Sequence, residues 1–210
     1  MRAESPVRPE PVPIAPEQVT GLILAGGLGR RMSADGQGLD KGLQPFRGQP
    51  MIARVIERLA PQVGHLLINA NRNRAQYEAF GHPVVEDAIE GFAGPLAGLH
   101  AGLVSARTRY VATVPCDSPF LPADLVARLG AALSARQAEV AVARTGAQAH
   151  PVFLLVERSV LPGLEAFLAQ GRRKIDAWYA QLVVAEVDFG DEDAFRNINT
   201  PAELRQYETP

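Results

Sequence analysis

The sequence predicts an α/β domain in which helices cover a mainly parallel sheet in three layers. Two observations predict it. Short apolar runs recur along the chain, and segments with helical spacing of apolar residues alternate with them from Thr20 onward. This alternation is the signature of β-α units around a parallel sheet. The chain has 210 residues, 47% of them hydrophobic and 21% charged. That length and composition suit one soluble core, which can bury roughly 70% of the unfolded surface without disulfide or structural metal.

The elements follow in order. Residues 1 to 18 carry five prolines between Pro6 and Pro16 with little apolar material, and are expected to form a disordered tail before a single domain over 19–210. The apolar runs Gly21–Leu24, Leu66–Ile68, Pro83–Val85 and Tyr110–Val114 read as strands. Between them, Ile52, Val55, Ile56 and Leu59 recur at i, i+3, i+4 and i+7, and Leu96, Leu99 and Leu103 keep a similar stripe, so both segments read as helices. A third helix is expected through Leu125, Leu129 and Leu133, then strands at Val140–Ala143 and Val152–Val156. Helix returns at Leu161–Leu168 and Ile175–Leu182. A last strand, Val183–Val187, precedes a C-terminal helix opened by Thr200 as cap and Pro201 in the first helical position.

Charge and cysteine usage exclude several classes. The 21 cations against 23 anions leave a net charge of −2, without the basic footprint of a nucleic-acid binder. No apolar run approaches the ~20 residues of a membrane span, and the first residues lack the apolar centre of a secretory signal. A single cysteine, Cys116, forms no internal disulfide, and four scattered histidines do not complete a zinc site. A reducing, cytoplasmic location is expected.

Three segments carry chemistry. Leu24-Ala25-Gly26-Gly27-Leu28-Gly29-Arg30-Arg31-Met32 follows the first strand. Its glycines let backbone N–H groups approach a phosphate, and Arg30 and Arg31 can neutralise it. It is neither a Walker A loop nor G-x-G-x-x-G. Asp40-Lys41-Gly42 comes next, and only Lys41 and Lys174 are lysines among the 21 cations. A lysine in so arginine-rich a chain suggests a site wanting a compact ammonium. The third segment, Pro115-Cys116-Asp117-Ser118-Pro119, lies where a parallel strand delivers its last residues to the ligand edge of the sheet. Asp117 is a candidate Mg²⁺ ligand there, although Asp before Ser-Pro also forms simple turns. Asn69 and Glu86-Asp87 close two further strands at the same edge, and Gly91–Gly98 supplies a loop and a helix start able to face an anion. Arg172-Arg173-Lys174 reads either as a phosphate contact or as a solvated turn.

In this order the pieces resemble the molybdenum cofactor guanylyltransferase family, of MobA-like nucleotidyltransferases. The resemblance rests on LAGGLGRRM, DKG, NANR, VVED, GPLAG, PCDSPFLP, His150-Pro151 and FRNINTPAEL, and spans about Thr20 to Tyr207. It implies a Rossmann-like αβα nucleotidyltransferase fold and Mg²⁺-dependent transfer of GMP from GTP to molybdopterin. It also points to other molybdenum cofactor assembly proteins as partners. Carried over by position, Leu24, Ala25 and Gly26 hold the guanine and ribose side of GTP, and Gly27 is a further GTP contact. Lys41, Asn69 and Asp87 contact the nucleotide, Asp117 holds Mg²⁺, and Arg30 and Arg31 handle the β- and γ-phosphates. Asn197 and Asn199, on one face of an extended segment with Ile198 turned inward, are expected to serve molybdopterin. The segment between Met32 and Lys41 is longer than the family's usual short link. A related cytidylyltransferase more often reads AAG in the first loop and carries aspartates at the positions of Asn197 and Asn199, so both features favour GTP. A non-catalytic nucleotide-binding module has less need of Lys41 and Asp117.

Overall fold

The computed structural model describes residues 13–26, 40–89 and 94–208. A seven-stranded sheet has the order β5-β4-β1-β6-β8-β7-β9. Its strands are β1 (Val19–Leu24), β4 (His65–Asn69), β5 (Val84–Val85), β6 (Tyr110–Pro115), β7 (Val140–Thr145), β8 (Gln148–Glu157) and β9 (Val184–Asp188). All neighbours are parallel except the pairs made by β8, which is antiparallel to β6 and β7. A small antiparallel hairpin, β2 (Pro45–Phe46) and β3 (Gln49–Pro50), stands apart. Sequence patterning did not reveal it, because its strands hold proline and glutamine and carry no apolar run of the kind that marks Val84–Val85.

Alternation along the strands sends successive side chains to opposite faces. Ile23, Ala112 and Leu155 join one core with α1 (Met51–Leu59) and α4 (Leu125–Arg136). Leu22, Val111 and Leu154 join the other with α3 (Pro95–Ser105), α5 (Leu161–Ala169) and α6 (Ile175–Tyr179). The three-layer arrangement expected from the pattern is therefore the one observed. Helix α3 lies very close to β1, with glycines at the contact. A Cβ on Gly98 would lie 2.6 Å from Leu24 Cδ2, and one on Gly102 would lie 2.3 Å from Leu22 Cδ2.

The expected tail is corrected at its C-terminal end. Residues 13–18 pack on the domain: Ile14 lies on the core at Gly130, and the Gly64 N–H donates to Pro16 O at 2.6 Å and Val19 O at 3.1 Å. Proline lacks an N–H but keeps its carbonyl, so a proline-rich segment still accepts hydrogen bonds. Residues 1–12 lie outside the described residues. Among the described residues no helix is long and apolar enough to cross a membrane.

Candidate active site

The sheet register brings the functional strand ends into one row. Leu24 pairs with Asn69 on one side and Pro115 on the other, and Asn69 pairs with Val85. Four strand exits, those of β1, β4, β5 and β6, therefore open at one edge. Backbone bonds extend the row: Ala25 N–H donates to Asn69 O at 2.8 Å and Cys116 N–H to Leu24 O at 3.1 Å. The Ala25 N–H is thus engaged with the sheet. Ala25 and Gly26 are the described residues of the loop after β1, while Gly27, Arg30 and Arg31 lie outside the described residues, as does Gly91–Ala93.

At the β4 end, Asn69 is buried and its Nδ2 donates to Asp87 Oδ1 at 2.8 Å and Val85 O at 3.2 Å. Asn71 holds Asp87 from its other side, donating Nδ2 to Oδ2 at 2.7 Å and accepting the Asp87 N–H on Oδ1 at 2.8 Å. A half-buried carboxylate is steadied by such donors, and two amides supply them without adding charge. Glycines pack on this group: a Cβ on Gly98 would lie 2.4 Å from Asn69 Oδ1, and one on Gly26 would lie 3.1 Å from Asn71 Nδ2. Asn71 was not singled out from the sequence. The available signal was its spacing of two from Asn69 at a strand exit.

The second group joins three distant segments. Lys41 Nζ donates to Asp117 Oδ2 at 2.9 Å and to Asn199 Oδ1 at 2.5 Å. Asp117 is buried and the Lys41 side chain is 19% exposed, so water screens this pair little. The C-terminal segment reaches it through specific bonds. Ile198 N–H donates to Asp117 O at 2.8 Å, and Ser118 Oγ donates to Asn197 Oδ1 at 2.7 Å. Ile198 is fully buried with Phe46 and Met51, which fits the expected period-two arrangement. The two asparagines do not act alike, however. Asn197 meets Ser118, whereas Asn199 meets Lys41, a residue expected on the nucleotide side. The helix cap belongs to neighbours: Glu203 N–H donates to Thr200 Oγ1 at 3.2 Å, and the Asn199 and Thr200 N–H groups donate to Glu203 Oε2 at 2.7 and 3.0 Å. This capping box opens α7 (Pro201–Glu208).

Three other candidates have structural surroundings. Cys116 is buried, and burial, reinforced by the adjacent Asp117 carboxylate, pushes its thiol well above the ordinary range. It is a poor nucleophile. His150 stacks on Phe195 with ring centres 4.6 Å apart and pairs through Nε2 with Thr145 Oγ1 at 2.8 Å. It braces the segment leading to Asn197. Arg173 donates to Leu168 O at 2.8 Å, and the Arg172 guanidinium lies over the Phe167 ring.

A family model for the MobA-like NTP transferase domain matches residues 21–185. The chain belongs to the MobA-like NTP transferase family. Its curated relatives include the molybdenum cofactor guanylyltransferase of Ralstonia nicotianae, 53% identical across 92% of this chain and 97% of that protein. Another, from Cupriavidus taiwanensis, carries the same description and is 54% identical across 93% of this chain and 98% of that protein. A crystal structure of molybdopterin-guanine dinucleotide biosynthesis protein A from Archaeoglobus fulgidus shares the fold, with a TM-score of 0.72 and 23% identity over 90% of this chain and 96% of that one. The MobA-like NTP transferase described here is thus a nucleotidyltransferase enzyme, with the αβα architecture its sequence predicts.

Proposed function

We propose that this enzyme transfers GMP from GTP to the terminal phosphate of molybdopterin, forming the guanine dinucleotide form of the molybdenum cofactor and releasing pyrophosphate. The observation that carries the reading is the convergence of Lys41, Asp117 and Asn199 at the ends of β1 and β6. The relatives described as molybdenum cofactor guanylyltransferases support the choice of GTP and molybdopterin. A phosphate oxygen of molybdopterin forms a new bond to the α-phosphorus, and the bond from that phosphorus to the oxygen leading to the β-phosphate breaks. The nucleophile is already an oxyanion, so no general base is required. Positioning and charge neutralisation then carry the reaction.

Lys41 supplies a compact positive charge beside the transferring group. Leu24, Ala25, Gly26, Asn69 and Asp87 are assigned to the nucleoside side, and by family resemblance alone Gly27 is assigned to GTP and Arg30 and Arg31 to its outer phosphates. Asn197 faces molybdopterin, with Asn199 between the two substrates. The donor chemistry at Asp117 fits Mg²⁺. Asp117 supplies a hard carboxylate oxygen besides the one that accepts from Lys41, and among the described residues no cluster of three or more His, Cys, Asp or Glu could hold a metal unaided. A cation here would take its remaining ligands from phosphates and water, as Mg²⁺ does. When bound it supplies charge neutralisation at the α-phosphate. Other molybdenum cofactor assembly proteins and a cytoplasmic setting accord with this reading.

Calorimetry with GTP, CTP and ATP, each with Mg²⁺, tests it together with a GMP-transfer assay on molybdopterin. GTP-selective binding and formation of the dinucleotide are expected. Preference for CTP would replace this reading with cytidylyl transfer, and GTP binding without transfer would make the protein a nucleotide-binding module.

A further inference from the structure

Tyr77, on α2 (Arg74–Glu78), is fully buried, yet its hydroxyl has a polar partner in Asp40 Oδ1, to which it donates. Burial, chiefly, holds that hydroxyl protonated far above the ordinary phenol range, so it remains a donor. The other Asp40 oxygen accepts from Asn73 Nδ2 at 2.9 Å. Asn73 immediately precedes α2 in the left-handed region, with φ of 54°. Asp40 occupies the cap position of the short 3₁₀ turn Lys41–Leu43 but makes no side-chain capping bond. Its carboxylate is turned to α2 instead. Gly42 is fitted to the same tyrosine: an added Cβ would lie 2.7 Å from the Tyr77 hydroxyl and 3.3 Å from Cys116. Asp40 is therefore bonded to Tyr77 and Asn73, while Gly42 packs closely on Tyr77 and Cys116. Lys41, held between them, is the residue whose amine reaches Asp117 and Asn199.

We infer that Tyr77 and Asn73 are positioning residues for nucleotidyl transfer, clamping Asp40 so that Lys41 is aimed at the reacting phosphate. The inference rests on the proposed role of Lys41 in GMP transfer. It accounts for all three residues of the Asp-Lys-Gly motif: the aspartate is an anchor, the lysine acts, and the glycine permits contact with the anchor's partner. Small displacements of a group acting on a transition state have large kinetic effects with little change in binding.

Kinetics of a small variant set test the clamp. Tyr77→Phe keeps the ring and removes one oxygen, so kcat for GMP transfer should fall about 10- to 100-fold, as misplacement of a catalytic group by about 1 Å does. KM for GTP should stay within about threefold, the pattern of an interaction lost mainly in the transition state. Asn73→Gly retains access to the left-handed backbone and should lose kcat in the same direction by a smaller factor. It also tests the clamp if Tyr77→Phe does not fold. Asp40→Asn still accepts from Tyr77, and a turned Asn73 amide can meet its NH₂, so it should keep most of the wild-type kcat. Lys41→Ala is the reference and should be nearly inactive. If Lys41→Ala turns over normally, the reading of Lys41 falls and the clamp with it. If Lys41→Ala is inactive while Tyr77→Phe keeps wild-type kcat, only the clamp is overturned, and a lowered melting point then marks Tyr77 as structural. Asp40→Asn as inactive as Lys41→Ala also overturns it, because the carboxylate charge itself is then required.

Discussion

Lys41 Nζ lies 2.9 Å from Asp117 Oδ2, although the two residues are 76 positions apart in the chain. Neither is well solvated, and the same ammonium also donates to Asn199. One small cation therefore ties the loop after β1, the exit of β6 and the C-terminal segment together. The pair is both an element of the site and a fastening of its walls.

Removing the carboxylate should separate these roles. Asp117→Asn keeps the size of the side chain and loses its charge, and turnover should drop about a hundred- to a thousandfold, as when a transition-state stabiliser is lost. Lys41→Arg should fail almost as badly as Lys41→Ala, because a planar guanidinium does not occupy the space of an ammonium bonded at 2.9 and 2.5 Å to two side chains. Pyrophosphate release at saturating GTP, molybdopterin and Mg²⁺ is the measurement. Near-normal rates in Asp117→Asn would remove that residue from the chemistry.

Gly98→Ala should injure nucleotide binding from a distance. The new methyl would sit 2.4 Å from Asn69 Oδ1 and 2.6 Å from Leu24 Cδ2, so α3 or Asn69 must move. Overpacking of this kind costs about 1–3 kcal/mol. A lower melting temperature with weakened GTP binding by calorimetry is expected. Unchanged GTP affinity would show that the Asn69–Asp87 group tolerates displacement.

Two truncations should differ. Relative to a chain starting at Pro13, one starting at Val19 loses the Ile14 packing and the Pro16 acceptor of the Gly64 N–H. A partly buried aliphatic side chain and one backbone bond together contribute about 1–2 kcal/mol, or about 2–8 °C in a domain of this size. Equal melting temperatures for the two chains would show that residues 13–18 add no net stability.

His150 should give the fold a mild acid sensitivity. Burial lowers its folded-state pKa from 6.5, so the unfolded chain binds the proton more readily. Stability from this group is present above pH 6.5, declines as the pH falls below it, and levels off once the folded-state pKa is passed. Melting curves from pH 8 to pH 5 should show a decline that His150→Phe reduces, since phenylalanine keeps a ring against Phe195. Identical pH profiles for the two proteins would exclude His150 as a source.

Local pattern determined the sheet strands, the main helices and the segments bearing chemistry. Strand alternation, helical spacing and cap residues act over a few positions, so Leu24–Gly26, Lys41, Asn69, Asp87 and Asp117 could be placed at strand ends or adjoining loops from sequence alone. Their partners were another matter. The meeting of Lys41 with Asn199 spans 158 positions and depends on the return of the C-terminal segment across the exit of β6. Asn71 holds Asp87 because β4 and β5 pair in one register, and Tyr77 reaches Asp40 because α2 packs beneath the site. Residues 13–18 looked like tail by composition, yet a backbone carbonyl needs no distinctive side chain to accept the Gly64 N–H. Short-range sterics and hydrophobic period decide which elements form. Which side chains share a site is decided by register and close packing between distant segments, and only the tertiary structure contains these.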